Sequence, residues 1–316
     1  MQRKPRVVVL GTGGTIAGLA ATADDDAAYL AAQVGVDALV AGLRLPPGIA
    51  IETETVAQID SKDMDAATWR ALALAVVRQL ARSEIAGLVI THGTDTLEET
   101  AYFLSRVVAA TKPVVLTGAM RPASARNADG PGNLEDAIAV AADATLSGVV
   151  VVIAGEIHAA ADVRKAHPRR VDAFASGEAG PIARIALGRI TVVRDLPSVG
   201  EVIGVEALPA DPDAWPWVEI VTSAAGADGR IVGLLVAAGV DGIVVAATGN
   251  GTVHHRLEVA LADAASRGVA VVRSSRCLDG AIVDAETEAI PAAGALPPVM
   301  ARVALLLDLL ARRSKA

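Results

Sequence analysis

The stretch Leu88–Thr100 reads Leu-Val-Ile-Thr-His-Gly-Thr-Asp-Thr-Leu-Glu-Glu-Thr, and it decides the fold. Its apolar beginning predicts a buried strand, which the glycine ends. Thr94 and Asp95 then stand where a helix would begin, and the two glutamates that follow suit the positive end of that helix. In open α/β folds, ligands bind at the carboxyl edge of the sheet. The stretch therefore predicts either a functional turn or, more simply, a helix cap formed by Thr94 and Asp95.

A second stretch near the start of the chain repeats this order of features. Residues 7–18 read Val-Val-Val-Leu-Gly-Thr-Gly-Gly-Thr-Ile-Ala-Gly, an apolar strand followed by a glycine-rich turn and a threonine. A threonine hydroxyl beside a base or a hydrogen-bonded neighbour can attack a carbonyl carbon. Two strand ends that each present a threonine therefore predict a pair of candidate nucleophiles for acyl transfer, Thr15 and Thr94.

Both stretches closely resemble motifs of the bacterial-type L-asparaginase family. Shorter matches follow in order at Gly118–Pro122, Ala128–Pro131 and Val272–Arg276, so that the resemblance runs from about Val7 to Glu286. It implies hydrolysis of the side-chain amide of L-asparagine to L-aspartate and ammonia through a threonine nucleophile, without a metal or another cofactor. A glutaminase-asparaginase or another small-amide amidohydrolase of the same family is the alternative.

The resemblance implies a catalytic role for five residues. Thr15 would attack the amide, and Tyr29 in a loop after the first turn would aid its activation. Thr94, Asp95 and Lys165 would form a second cluster that positions the amide or activates water, although the opposite assignment of the two threonines stays open. A solvated surface lysine is the structural alternative for Lys165. A neighbouring carboxylate also favours charged lysine, whereas a general base must be neutral.

The resemblance also implies a set of substrate contacts. Ser61 and Asp95 would hold the α-carboxylate and the α-amino group respectively, although Ser61 could instead cap the helix that follows. Backbone N–H groups around Gly14, Gly93 and Thr94 are candidate oxyanion donors, because glycine permits close approach and a helix begins nearby.

Two further contacts would come from a neighbouring subunit. Glu286 matches the acidic residue that the family supplies from the smaller domain, and Thr252 matches its companion after the Gly-Asn-Gly turn. A site shared between chains implies a homo-oligomer, which in the family is a tetramer made of two dimers. Lys62 stands where relatives commonly carry Gln or Glu, which indicates a difference in substrate preference.

The length suggests two domains or one large one, and the regular alternation of strands and helices predicts an α/β fold. The 316 residues are 53% hydrophobic but only 2% aromatic, which favours parallel strands packed against Ala-rich helices. We expect a larger N-terminal domain with a mainly parallel sheet flanked by helices, and a smaller C-terminal α/β domain with a parallel sheet. The predicted boundaries are 1–196, a linker at 197–217, and 218–316. Residues 19–26 predict a mobile loop, which the resemblance interprets as a lid rather than a plain surface connection. Residues 230–238 could form a strand, but their length and Ala/Leu content favour a buried helix.

The remaining features exclude several classes of function. The net charge is −8 without a basic block, so neither nucleic acid nor membrane is an expected partner. Cys277 is the only cysteine, and the apolar run at 7–10 is too short for a signal peptide, so we expect a cytoplasmic protein. The chain carries neither HExxH nor paired cysteines.

Two functions from other classes remain as alternatives. Gly11 and Gly13 after a strand suggest an NAD-binding oxidoreductase, but Ile16 occupies the position where the dinucleotide fingerprint requires Gly or Ala. A non-catalytic amino-acid-binding module with the same fold is the second alternative. The joint presence of the five candidate catalytic residues argues against it.

Overall fold

The computed structural model describes residues 5–20, 29–45, 48–283 and 290–315. The chain forms two compact units, Met1–Val205 and Glu206–Ala316. The boundary between them falls inside the segment 197–217, for which the sequence predicts a linker.

The described residues form fifteen strands and seven α-helices. The strands are β1 (Arg6–Gly13), β2 (Leu19–Ala20), β3 (Tyr29–Leu30), β4 (Ala50–Ile59), β5 (Ile85–Thr91), β6 (Pro113–Thr117), β7 (Gly148–Ile153), β8 (Glu156–Ala159), β9 (Arg164–Lys165), β10 (Phe174–Ala175), β11 (Ala183–Ala186), β12 (Arg189–Val192), β13 (Val218–Thr222), β14 (Gly242–Ala247) and β15 (Ala270–Ser275). The helices are α1 (Val36–Val40), α2 (Ala66–Leu80), α3 (Leu97–Val107), α4 (Gly130–Ala141), α5 (Arg230–Ala237), α6 (His255–Ser266) and α7 (Pro298–Lys315).

The first unit is built on one eight-stranded sheet with the order β12-β11-β8-β7-β6-β5-β1-β4. The five strands from β7 to β4 run parallel, and the three beyond β7 pair antiparallel. In the second unit, β13, β14 and β15 form a parallel sheet. The predicted fold class is therefore confirmed: a large, mainly parallel sheet flanked by helices, and a smaller α/β unit with a parallel sheet.

Strand β1 lies at the point where the strand order reverses. Its neighbours are β4 on one side and β5 on the other, so the chain crosses over β1 between these two strands. A crevice opens at such a switch point, outside the carboxyl ends of the two strands that border it. The turns that follow β1 and β5 therefore lie side by side, and these are the two turns that carry Thr15 and Thr94.

The two turns meet through their backbones. Gly14 has a φ of +82°, and a β-carbon there would lie 2.3 Å from both the Cα and the N of Gly93. A β-carbon on Gly93 would lie 2.4 Å from the Oγ atom of Ser61. The hydroxyl of Thr12 also donates to the carbonyl of Thr91 at 2.9 Å. Only glycine at 14 and 93 lets the three loops approach this closely.

Helices cover both faces of the large sheet. Helices α1 and α4 share one cluster of buried residues with the inner faces of β1, β5, β6 and β7. Helices α2 and α3 contact the sheet outside that cluster, and they pack on each other through Trp69 and Phe103, whose stacked rings lie 4.7 Å apart. Strands buried on both faces in this way read as continuous runs of Val, Leu and Ile.

Helix α5 differs from its predicted environment. The sequence predicts a buried helix at 230–238, and a helix forms there, but among its residues only Val232 is buried. Ile231 and Leu234 are 48% and 67% exposed. An apolar run of this length specifies a helix, but it does not specify which neighbours cover it.

Among the described residues, no helix is both long and apolar enough to cross a bilayer.

Replacing Gly14 by alanine should strongly destabilise the first unit. The left-handed φ and the collision with the Gly93 backbone together cost about 2–5 kcal/mol, because a backbone neighbour cannot move aside as a side chain can. Urea unfolding of Gly14→Ala measures this loss. Gly132→Ala is the matched control, because a β-carbon there meets no atom within 4 Å. Equal stability of the two variants would contradict the close approach.

Two buried histidines should make the protein acid-sensitive. Burial lowers the pKa of His92 and that of His158 from 6.5 to about 4. Between these values the unfolded chain binds more protons than the folded one, so the free energy of unfolding should fall as the pH drops from about 6.5 to about 4. The expected loss is about 3 kcal/mol for each histidine, and it should be absent above pH 7.

Urea midpoints measured across this pH range test the prediction. His92→Asn and His158→Asn keep a polar atom near the position of Nδ1 but do not titrate. Each variant should therefore show a shallower slope than the wild type. A wild-type midpoint that does not change from pH 7 to pH 4 would contradict the prediction.

Candidate functional site

The candidate site is a cleft of about 430 Å³ in the first unit. Its lining combines hydroxyl, carboxylate and cationic side chains. The lining residues are Thr15, Tyr29, Thr94, Asp95, Met120, Arg121, Lys165, Pro168 and Arg169. All five residues that the sequence suggests as catalytic are among them.

Thr15 lies on the first side of the cleft, directly after β1. It begins a single helical turn, Thr15–Ala17, and its side chain is almost fully buried. The hydroxyl of Tyr29 lies 2.8 Å from its Oγ1 atom, and either group can be the donor. Tyr29 is held by the pairing of β3 with β2. Of the predicted lid at 19–26, residues 19 and 20 form β2, and residues 21–26 lie outside the described residues.

Thr94, Asp95 and Lys165 form the second side. The ammonium of Lys165 donates to Thr94 Oγ1 at 2.8 Å and to Asp95 Oδ1 at 2.6 Å. The side chain of Lys165 is 17% exposed and that of Asp95 is 57% exposed. The interpretation of Lys165 as a solvated surface lysine is therefore wrong.

The turn after β5 does not cap its helix with Thr94 or Asp95. Helix α3 begins only at Leu97, and Thr96, which precedes it, makes no capping bond with its own side chain. The hydroxyl of Thr96 donates instead to the carbonyl of Ser61 at 2.8 Å. The interpretation of Thr94 and Asp95 as a mere helix cap is therefore wrong, and both side chains are available to the cleft.

Ser61 supports this turn from behind. Its hydroxyl oxygen accepts from the N–H of Asp95 at 3.3 Å, and the residue is 2% exposed. Ser61 does not cap the helix that follows it. Asp60 caps the short turn 61–63, and Asp65 caps α2. Ser61 is not among the residues that line the cleft.

Lys62 faces its own turn rather than the cleft. Its ammonium contacts the carboxylates of Asp63 at 2.6 Å and Asp60 at 3.3 Å. Hydrogen bonds to Asp63 and Asp60 raise the pKa of Lys62. The charge of Lys62 is thus balanced locally.

Gly14 and Thr252, like Ser61, are predicted substrate contacts that are not among the residues that line the cleft. The N–H of Gly14 donates to the carbonyl of Ile59 at 2.9 Å, so this N–H is already engaged. Thr252 lies in the second unit, with its hydroxyl 2.9 Å from that of Thr248. Glu286 lies outside the described residues. Gly14 contributes through its backbone contact with Gly93 instead.

Sequence reasoning missed four lining residues: Met120, Arg121, Pro168 and Arg169. The first two follow β6, the neighbour of β5, and thus reach the same edge of the sheet. The carboxylate of Asp129 accepts from the N–H groups of both, at 2.9 Å each, and fixes their loop. Position after a parallel strand was the signal that could have identified Met120 and Arg121. Pro168 and Arg169 follow Lys165 in a loop, and no pattern marks them.

The cleft carries more positive than negative charge. Arg121, Lys165 and Arg169 line it against one carboxylate, Asp95. Within the described ranges, no group of three or more His, Cys, Asp or Glu residues is arranged to hold a metal ion. The lining suits a ligand that carries a carboxylate, and its chemistry consists of hydroxyls paired with proton donors and acceptors.

Models of two domain families match the chain along most of its length. The model for "Asparaginase, N-terminal" matches residues 6–198, and the model for "Glutaminase/Asparaginase C-terminal domain" matches residues 217–316.

The chain is also similar in sequence to several named relatives. The chain is 40% identical to the probable periplasmic L-asparaginase of Haemophilus influenzae, over 96% of this chain and 88% of that one. L-asparaginase 2 of Escherichia coli is also 40% identical, over 96% and 89% respectively. A glutaminase-asparaginase of Pseudomonas fluorescens is 39% identical over 88% and 77%.

A solved structure agrees with these relatives. The crystal structure of a probable cytoplasmic L-asparaginase from Campylobacter jejuni superposes with a TM-score of 0.89 at 36% identity, over 97% of this chain and 95% of that one. Both domain matches, the relatives and the solved structure indicate an asparaginase. The alternative of an NAD-binding oxidoreductase is therefore wrong. The chain belongs to the asparaginase family of amidohydrolases.

Proposed function

We propose that the protein hydrolyses the side-chain amide of L-asparagine to L-aspartate and ammonia. One observation carries the proposal: two threonine hydroxyls border one cleft, and each is hydrogen-bonded to its own polar partner. Thr15 is paired with Tyr29, and Thr94 is paired with Lys165. Acyl transfer in two steps needs a nucleophile for the first step and an activated water for the second. We assign the first step to the pair of Thr15 and Tyr29 and the activation of water to the pair of Thr94 and Lys165.

Thr15 is the proposed nucleophile. Its oxygen attacks the amide carbon while its proton passes to the oxygen of Tyr29, and the hydroxyl hydrogen of Tyr29 passes on to the amide nitrogen, so Tyr29 stays neutral. N–H groups of Gly93 and Thr94 are the proposed donors to the oxyanion that forms, since such donors stabilise the developing charge. Collapse of this intermediate breaks the C–N bond and releases ammonia after the nitrogen is protonated. Water then cleaves the ester on Thr15 and yields aspartate.

Lys165 directs the second hydroxyl. Its ammonium donates to Thr94 Oγ1, so the hydrogen of Thr94 must point to another acceptor. A substrate amide or a water molecule in the cleft can be that acceptor. A charged lysine in this role polarises Thr94 and does not need to act as a base. The opposite assignment, with Thr94 as the attacker, is distinguished by the site of acylation.

Asp95 is the proposed partner of the substrate's ammonium group. More than half of its carboxylate side chain is exposed although one oxygen accepts from Lys165. Ser61 can still donate its hydroxyl hydrogen to the substrate carboxylate, because its oxygen acts only as an acceptor toward Asp95. Because Ser61 is buried behind the turn 93–95, its hydroxyl can reach the substrate carboxylate only if the substrate lies close to this turn.

Glutamine is the second candidate substrate. One of the relatives is named a glutaminase-asparaginase, and a cleft of about 430 Å³ has room for one more methylene group. Discrimination by one methylene is worth only about 1–3 kcal/mol, so hydrolysis of both amides at different rates is consistent with this site.

We further propose a homo-oligomer, a tetramer of two dimers, located in the cytoplasm. Exposed apolar side chains on α5 and α6, namely Ile231, Leu234 and Val259, support self-association. A partner subunit's smaller domain would contribute Glu286 and Thr252 to the site. The single cysteine, Cys277, suits a reducing compartment.

Loss of either hydroxyl should abolish most of the activity. Thr15→Ala and Thr94→Ala should each lower kcat for L-asparagine by about 1,000-fold or more, because residues that act as a unit fail together. Thr15→Ser, which keeps the oxygen, should retain far more activity. Ammonia release from asparagine and glutamine, with and without NAD, is the assay.

Acid quench of the wild-type reaction followed by peptide mass spectrometry identifies the attacker. We expect the aspartyl group on the peptide that contains Thr15. An aspartyl group on Thr94 instead would reverse the assignment. Full activity of Thr15→Ala would remove that residue from the mechanism, and no ammonia from either amide with the wild type would refute the function.

The shared site should make activity depend on assembly. Sedimentation should give four times the mass of one chain. Dilution below the assembly threshold should lower the specific activity, because Glu286 and Thr252 then leave the partner's site. A fully active monomer would contradict the sharing of residues between subunits.

A further inference from the structure

Lys165 is attached at two points to a single turn of the chain. Its ammonium bonds to Thr94 and Asp95, and its backbone N–H donates to the carboxylate of Glu98. Glu98 lies three residues after Asp95, in the first turn of α3. The turn that presents the second hydroxyl thus also holds the backbone of the lysine that serves it.

The large sheet does not fix the position of Lys165. Strand β9 has only two residues, Arg164 and Lys165, and it pairs with β10 in a separate two-stranded ribbon. A two-stranded ribbon is marginally stable by itself. The bond to Glu98 links this ribbon to helix α3, which packs directly on the large sheet.

Glu98 is placed where a carboxylate is costly. Burial raises its pKa, while the hydrogen bond from the N–H of Lys165 and the charges of Arg164 and Lys165 lower it. Glu98 is half-buried, so its carboxylate loses part of its hydration, and hydrogen bonds and nearby positive charges must offset this loss. The backbone bond to Lys165 compensates part of this cost only while β9 stays in place.

We propose that Glu98 is a positioning residue that holds the backbone of Lys165 at the distance from which its ammonium reaches both Thr94 and Asp95. A side chain that spans from α3 to β9 sets this distance. Displacing a reacting group by about 1 Å can cost about 100-fold in rate, so the bond matters to catalysis although Glu98 does not line the cleft. The catalytic consequence rests on the proposed function, but the geometric consequence does not.

The kinetic test compares four variants of the full chain. Glu98→Ala removes the acceptor and should lower kcat for L-asparagine by about 10- to 100-fold with a smaller change in KM. Glu98→Gln keeps an oxygen that can accept the N–H of Lys165, so it should restore most of kcat. Glu98→Asp keeps the charge but is one methylene shorter, so it should resemble Glu98→Ala. Glu135→Gln removes a charge from helix α4 but keeps an oxygen that can accept from the N–H of Arg44, and it should match the wild type.

A second readout does not depend on activity. Acylation of lysines by an N-hydroxysuccinimide ester of acetate, followed by peptide mass spectrometry, reports how firmly each amine is held. Acylation of Lys165 should be several-fold faster in Glu98→Ala and Glu98→Asp than in the wild type and Glu98→Gln. Lys112, whose ammonium donates to the carbonyls of Leu80 and Arg82, is the internal reference and should not change.

The two readouts separate the two proposals. An inactive wild type with the expected pattern of Lys165 acylation would refute the asparaginase function and support the positioning role. Glu98→Gln as impaired as Glu98→Ala, or unchanged Lys165 acylation in all variants, would overturn the positioning role. If Glu98→Ala does not fold, the comparison of Glu98→Asp with Glu98→Gln decides.

Discussion

The backbone of Gly14 lies against the backbone of Gly93, so close that Gly14 has no room for a β-carbon, and a β-carbon on Gly93 would meet the side chain of Ser61. This contact joins the turn after β1 to the turn after β5, and Ser61 from the loop after β4 closes the third side. The parallel sheet brings the strand ends to one edge, but it leaves the loops free to diverge. Backbone contact between glycines removes that freedom and thereby brings Thr15 and Thr94 to one cleft. The geometry of the whole site depends on it.

The site is organised as two hydrogen-bonded pairs with different electrostatic character. Thr15 and Tyr29 form a neutral pair of hydroxyls in which either group can be the donor. Thr94 is joined to an ion pair between Lys165 and Asp95. A neutral pair can pass a proton along its hydrogen bond without creating a separated charge, whereas a fixed ammonium stabilises developing negative charge without reorganising. Arg121 and Arg169 add positive charge to the same cleft, which favours a ligand with a carboxylate.

Sequence patterns were least reliable where a side chain had several possible partners. Thr94 and Asp95 have the residue types of a helix cap, but the helix begins only at Leu97, and their side chains accept from Lys165 instead. Gly14 has the freedom of an oxyanion donor, yet its N–H is taken by the carbonyl of Ile59. Helix α5 has the composition of a buried helix, and most of its apolar side chains are exposed. In each case the local sequence was compatible with two environments, and contacts with the rest of the fold decided which one formed.

The sequence by itself determined the α/β class, the parallel sheet and the two threonine turns, because hydrophobic runs and glycine breaks depend on residues adjacent in the chain. It also carried the five candidate catalytic residues through the order of its motifs. Tertiary structure alone decided which loops touch, that Lys165 reaches both Thr94 and Asp95, and that Arg121 and Arg169 join the cleft. Those outcomes depend on the reversal of strand order around β1 and on contacts between segments such as Thr12 and Thr91, which are 79 residues apart. Local propensity contains no information about such distances, and packing of the completed sheet fixes them.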